Sequence, residues 1–206
     1  MKFSFLADKN PSDSPILVPY TDSQSAQMIS SKLSLYFQKV PVEQTIVFVC
    51  IGTDRSTGDA LGPLVGSRLL TYHLTDYPVY GTLEEPVHAL NLSETLSSIE
   101  QTYNNPFIVG IDACLGQLSS VGSIKVGSGP IKPGAGVNKE LPPVGNIHIT
   151  GIVNVGGFME YFVLQNTRLH LVTMLAEVIA KSIHLSLNHS QRTASATFPP
   201  FSLPNQ

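Results

Sequence analysis

The segment Thr45 to Ile51, Thr-Ile-Val-Phe-Val-Cys-Ile, is a continuous β-branched and apolar run. A run with no polar alternation is the pattern of a strand buried on both faces, and such strands belong to parallel sheets covered by helices. The next stretch agrees. A polar, glycine-rich loop follows, and Asp59 to Leu74 then carries Leu61, Leu64, Val65 and Leu69 at i, i+3, i+4 and i+8, while Arg68 and Thr71 fall at other positions. Strand, loop and amphipathic helix in this order form half of a right-handed βαβ unit.

The rest of the chain repeats that alternation. A helix is expected from Thr21 or Asp22 to about Val40, closed by Pro41, with Ala26, Ile29, Leu33 and Phe37 on one face. Pro78 to Leu83 is a short strand, and Asn91-Leu-Ser-Glu94 starts a helix that runs to about Tyr103 with the asparagine as its cap. Pro106 to Ile111 is a second buried strand, Gly122 to Val126 a shorter one whose lysine points to a sheet edge, and Asn146 to Val153 another. A C-terminal helix carries Val172, Leu175, Ala176, Ile179 and Ile183 on one stripe. The predicted architecture is a three-layer α/β/α sandwich with a mostly parallel central sheet. Residues 1–20, with Pro11, Pro15 and Pro19, read as an extended arm, residues 21–185 as one α/β domain, and residues 186–206 as a flexible tail. Gly127 to Gly145 has no period and is longer than an ordinary connection, the mark of a functional loop.

Composition excludes several function classes. With a net charge of -3 and scattered Lys and Arg there is no basic stripe for nucleic acid. No apolar run approaches the ~20 residues needed to cross a bilayer, and the N-terminal apolar stretch is too short for a signal-peptide core, so a cytoplasmic location is expected. Cys50 and Cys114 are too few for a disulfide or zinc framework and read as buried free thiols.

Two acids carry the chemistry. Asp59 opens the helix after the first buried strand, and Asp112 ends the apolar run Phe107-Ile-Val-Gly-Ile-Asp112. Open α/β sheets place ligands outside the carboxyl ends of their strands, so both acids are expected to share one crevice. Carboxylates brought together cannot both ionise cheaply, so one keeps a proton and the pair supplies a base and an acid. The positive end of the helix favours charge on Asp59, leaving Asp112 as the protonated partner. For Asp59 the structural alternative is a helix cap. Phosphate binding is disfavoured, since neither Gly-Lys-Ser/Thr nor Gly-x-Gly-x-x-Gly is present. No histidine among His73, His88, His148, His170, His184 and His189 has metal-ligand spacing to another. No metal or cofactor is therefore expected.

Thr57-Gly-Asp-Ala-Leu-Gly-Pro63, Ile111-Asp-Ala113 and Pro133-Gly-Ala-Gly-Val-Asn-Lys-Glu-Leu141, in this order, resemble germination protease, the atypical aspartic endopeptidase of bacterial spores. The likeness is closer to its short relatives, the YyaC-type sporulation proteins, and the same core resembles the hydrogenase-maturation endopeptidases. This resemblance implies that Asp59 and Asp112 are the functional pair. It implies a metal-independent endopeptidase acting on a protein or peptide, with small acid-soluble spore proteins as one candidate substrate, and it leaves a homo-oligomer open. Thr53 stands where the nickel-linked enzymes have asparagine. Thr53, Gly58, Gly134, Gly136, Asn138 and Lys139 are the expected substrate-binding residues, the last four in a loop able to cover the crevice. Two alternatives stay open: a catalytically silent protein that binds a peptide or protein partner, and a metal-assisted maturation endopeptidase.

Overall fold

The computed structural model describes residues 14–134 and 141–189 of the chain. In chain order the elements are β1 (Ile16–Pro19), α1 (Ser25–Phe37), β2 (Ile46–Cys50), α2 (Leu61–Leu70), β3 (Val79–Tyr80), α3 (Leu92–Thr102), β4 (Phe107–Gly116), β5 (Ser123–Ser128), β6 (Ile147–Val155), α4 (Glu160–Gln165) and α5 (Leu169–His189). The strands form one sheet in the order β1-β5-β6-β4-β2-β3. β3, β2, β4 and β6 run parallel, while β5 lies antiparallel to β6 and β1 antiparallel to β5.

All five residues of β2 are buried, as its unbroken apolar run requires. Side-chain alternation divides them between two cores. Ile46, Phe48 and Cys50 pack with α1, α2 and α5 on one face, whereas Val47 and Val49, with Ile51 just beyond the strand, meet Leu92 and Ile99 of α3, Ile131 and Val144 on the other. The expected α/β/α layering is therefore present, with its thicker helical layer on the α5 side. By length and composition Leu169–Asn188 is apolar enough to cross a membrane, which the sequence reading did not expect. Here its stripe Val172, Leu175, Ala176, Ile179 and Ile183 is fully enclosed in the core with α1 and α2.

The passage from β2 to α2 is very close. A Cβ on Gly62 would lie 2.1 Å from the Ile51 carbonyl oxygen, and one on Gly52, whose φ is +146°, would lie 1.9 Å from that of Asp59. Only glycine fits at either position, and the helix start is thereby pressed against the strand end that carries the loop.

Several expectations need correction. The N-terminal arm is not wholly without structure: Ile16–Pro19 forms the edge strand β1, and β5 beside it is an interior strand rather than an edge. Lys125 on β5 stays exposed because its side chain points to the solvated face. α1 begins at Ser25, since Asp22 accepts a hydrogen bond from the Gln24 amide in a turn instead of capping the helix. β4 does not stop at Asp112 but continues to Gly116, with an irregularity between Cys114 and Leu115. The loop after β5 is pinned at its base by an Ile131–Val144 bridge. α4 has no counterpart in the sequence reading. α5 runs to His189 and buries Ser186 and Leu187, so the tail cannot begin at 186.

Candidate active site

The carboxyl ends of β2, β3 and β4 open on one crevice of about 470 Å³, lined by both Asp59 and Asp112. Their proximity is electrostatic as well as spatial, since the charge of Asp59 raises the affinity of Asp112 for its proton. Asp59 is not a helix cap. The cap position of α2 is Ala60, no side chain bonds the first-turn amides, and the Asp59 carbonyl instead accepts from the Thr53 amide at 3.2 Å. Its carboxyl is thus left to the crevice.

The two acids differ in surroundings. Asp112 lies within β4 beside Thr150 of β6, on the sheet face that carries α3, and accepts the Ala113 amide at 2.8 Å. Burial pushes its carboxyl up to about 8, the Ala113 amide lowers it in part, and the neighbouring Asp59 charge adds to the rise. Burial also raises Asp59 above the ordinary carboxylate range, and the Ser56 hydroxyl offsets some of that rise. Ser56 Oγ is buried and falls short of full hydrogen-bond geometry, so it has no complete partner of its own. At neutral pH, then, Asp112 holds a proton beside an acid that is more readily ionised.

His88 lines the same crevice, although its spacing to the other histidines does not mark it. Its turn is held from three sides. The Gly52 amide donates to the Val87 carbonyl at 2.8 Å, the His88 amide donates to Asn91 Oδ1 at 2.8 Å, and Asn91 Nδ2 donates to the Pro86 carbonyl at 3.0 Å. Asn91 occupies the expected cap position of α3, but its side chain reaches back to this turn and caps nothing. The Leu90 amide approaches His88 Nδ1 at 3.3 Å. In the neutral ring this leaves Nε2 as the protonated nitrogen, a donor available to the crevice. The signal that could have found it is positional. β3 is a parallel neighbour of β2, so the loop leaving it exits on the same edge as Asp59.

Of the other expected site residues, Thr53 and Gly134 line the crevice. Gly58 is not among its lining residues. It is buried under α4, its amide donating to the Leu164 carbonyl at 2.8 Å, and a Cβ there would meet Leu164 at 2.8 Å. Gly58 therefore ties the Asp59 loop to α4. Gly136, Asn138 and Lys139 lie outside the described residues. Cys50 is fully buried and Cys114 half-buried at the crevice, and burial raises both thiols. Among the described residues no three of His, Cys, Asp and Glu form a cluster able to hold a metal ion.

A family model described as "Protein of unknown function (DUF1256)" matches residues 17–182. The chain is 55% identical over 169 residues to the "Uncharacterized protein YyaC" of Bacillus subtilis (strain 168), with 82% of each chain covered. Among solved structures it is similar to the NiFe hydrogenase maturation protease HycI from Thermococcus kodakarensis KOD1, with a TM-score of 0.48 and 19% identity over 70% of this chain and 93% of that one.

Proposed function

The chain belongs to the DUF1256 family, and from the crevice that its sequence builds we propose that it is an endopeptidase using two aspartates and no metal. The observation that carries this reading is the pairing of Asp59 with Asp112 in one crevice, where Asp112 retains a proton to about pH 8. Asp59, ionised, takes a proton from a water molecule as the water oxygen bonds to the peptide carbonyl carbon. Asp112 gives its proton to the carbonyl oxygen. When the tetrahedral intermediate collapses, the C–N bond breaks, and the amine leaves with the proton held by Asp59. Asp112 recovers its own proton from the hydroxyl that becomes a carbonyl again. Each acid thus ends in its starting state.

The same three motifs that resemble germination protease support a sporulation role in the cytoplasm of the spore-forming cell, with small acid-soluble spore proteins as the first substrates to try. The test is direct. Purified protein is incubated between pH 5 and 9 with a peptide library and with those spore proteins, beside Asp59→Asn and Asp112→Asn. Cleavage that disappears in both folded variants, and that falls off above about pH 8, supports the reading. Cleavage unchanged in either variant overturns it. Absence of cleavage by folded wild type at every pH also counts against it, and leaves a silent crevice that binds a peptide partner.

A further inference from the structure

His88 is held more firmly than a loop residue needs to be. Its amide donates to Asn91 Oδ1 at 2.8 Å, its carbonyl accepts the Asn91 amide at 3.1 Å and the Leu92 amide at 2.9 Å, and its Nδ1 accepts the Leu90 amide at 3.3 Å. Of its hydrogen-bonding groups, Nε2 alone has no partner among the described residues. Asn91 makes this brace at the expense of α3, whose first-turn amides no side chain caps. An asparagine cap is typically worth about 1 kcal/mol. The fold forgoes that gain and fixes one imidazole at the wall of the crevice.

Register sets that imidazole across from Asp112. Ile51, just beyond β2, bridges Val87 in parallel on one side, and on the other its amide donates to the Ile111 carbonyl at 2.7 Å. His88 and Asp112 are therefore the next residues along the two chain segments that flank Ile51. Neighbouring strands lie ~4.8 Å apart, so these two backbones stand roughly 10 Å from each other. Both side chains line the crevice. A carboxyl and an imidazole that reach inward across such a gap leave space for one small acceptor, and a carbonyl oxygen, with its two lone pairs, can accept from both. The other donors are placed differently. Arg55 and Lys132 are exposed, so their charged groups lie in water. The Ser56 hydroxyl serves Asp59, and Thr150 serves Cys114.

Resting on the two-aspartate reading of this crevice, we propose that His88 is a further catalytic residue. Its Nε2–H binds the carbonyl oxygen of the scissile peptide bond and stabilises the negative charge that builds there as water attacks. Asn91 is the positioning residue that fixes the ring. No proton leaves His88. Asp112 supplies the proton for that oxygen, and His88 holds the oxygen in line until the transfer is complete. A donor fixed in advance needs no reorganisation at the moment of reaction, which is where its advantage over a solvated cation lies.

The test takes the peptide that wild type cleaves best at pH 7 and compares His88→Ala, His88→Gln, Asn91→Ala and His88→Ala/Asn91→Ala with Asp59→Asn, each checked for folding by circular dichroism. Removing one such donor costs roughly 100- to 1,000-fold in kcat, the loss expected of His88→Ala. KM should change little, because the bond strengthens as charge develops. His88→Gln keeps an N–H donor and should restore at least about tenfold of the loss. Asn91→Ala should lower kcat when His88 is present and have no further effect on His88→Ala, since it acts only through the ring. Proton–nitrogen correlation spectra of histidine-labelled protein, with the His88→Gln spectrum to identify the signal, should show His88 in the Nε2–H tautomer. An Nδ1–H tautomer overturns the proposal whatever the turnover. A His88→Ala chain as fast as wild type, beside an inactive Asp59→Asn, overturns the role of His88 and leaves the two-aspartate reading standing. A loss confined to KM also overturns it. A folded wild type that cleaves no peptide removes the two-aspartate reading, and this proposal with it.

Discussion

Replacing Asp112 by asparagine should make the protein more stable, and increasingly so as the pH rises. The carboxyl moves from an ordinary value of 3.8 to about 8 on folding, with burial as the main cause. Between these values the folded state holds a proton that the unfolded chain has lost. More protons bound in the native state means that stability falls with rising pH, from about pH 4 until the folded carboxyl itself ionises near 8. At about 1.4 kcal/mol for each pH unit, the ceiling between pH 5 and 8 is close to 4 kcal/mol, and partial solvent access brings the expected loss to about 2 to 4 kcal/mol. Asparagine removes this dependence while its side-chain oxygen can still accept the Ala113 amide. Urea unfolding of wild type and Asp112→Asn at pH 5, 6, 7 and 8 measures the difference directly, because titrating groups other than the neighbouring Asp59 and Cys114 cancel. The gap in unfolding free energy should widen in favour of the variant across that range at constant m-value. A gap that stays flat, or that narrows as the pH rises, would refute the placement of Asp112 in a water-poor crevice beside Asp59.

Two further outcomes follow from the packing around the site. Gly62→Ala should lower stability by about 1–3 kcal/mol or more, read as a fall in thermal midpoint, because its Cβ would stand 2.1 Å from the Ile51 carbonyl and α2 must back away from β2. Asn91→Ala should cost about 1–3 kcal/mol by leaving the His88 amide and Pro86 carbonyl unpartnered, and amide exchange at His88 should quicken well before that of the β2 core.

The buried strand β2, the stripe on α5 and the alternation of strands with helices could all be read from periodicity, because each of these segments meets the core along a whole face. Asp59 and Asp112 were legible for a related reason: Asp112 follows an apolar run directly and Asp59 lies in the loop that leaves another such strand, so both fall at the carboxyl edge of the sheet where ligands bind. The errors have a different origin. The pairing of Ile16–Pro19 with β5 joins segments about a hundred residues apart, and four residues containing a proline carry no period strong enough to announce it. β4 outran its apolar core because strand length is set by the ladder with β6, which extends to Val155, and not by hydrophobicity. α4 was invisible for the same kind of reason, since a six-residue helix with only Leu164 packed against the core has no amphipathic signature.

What the sequence by itself determined is the class of fold and the placement of two acids at the carboxyl edge of the sheet, because both follow from local pattern: which residues must leave water, and which polar residues follow them. Only the tertiary structure decided that Asp59 leaves its helix uncapped, that Gly58 serves α4 rather than the crevice, and that Asn91 braces the His88 turn. Each of these depends on partners brought together from distant parts of the chain, where contact geometry and desolvation act and sequence spacing does not.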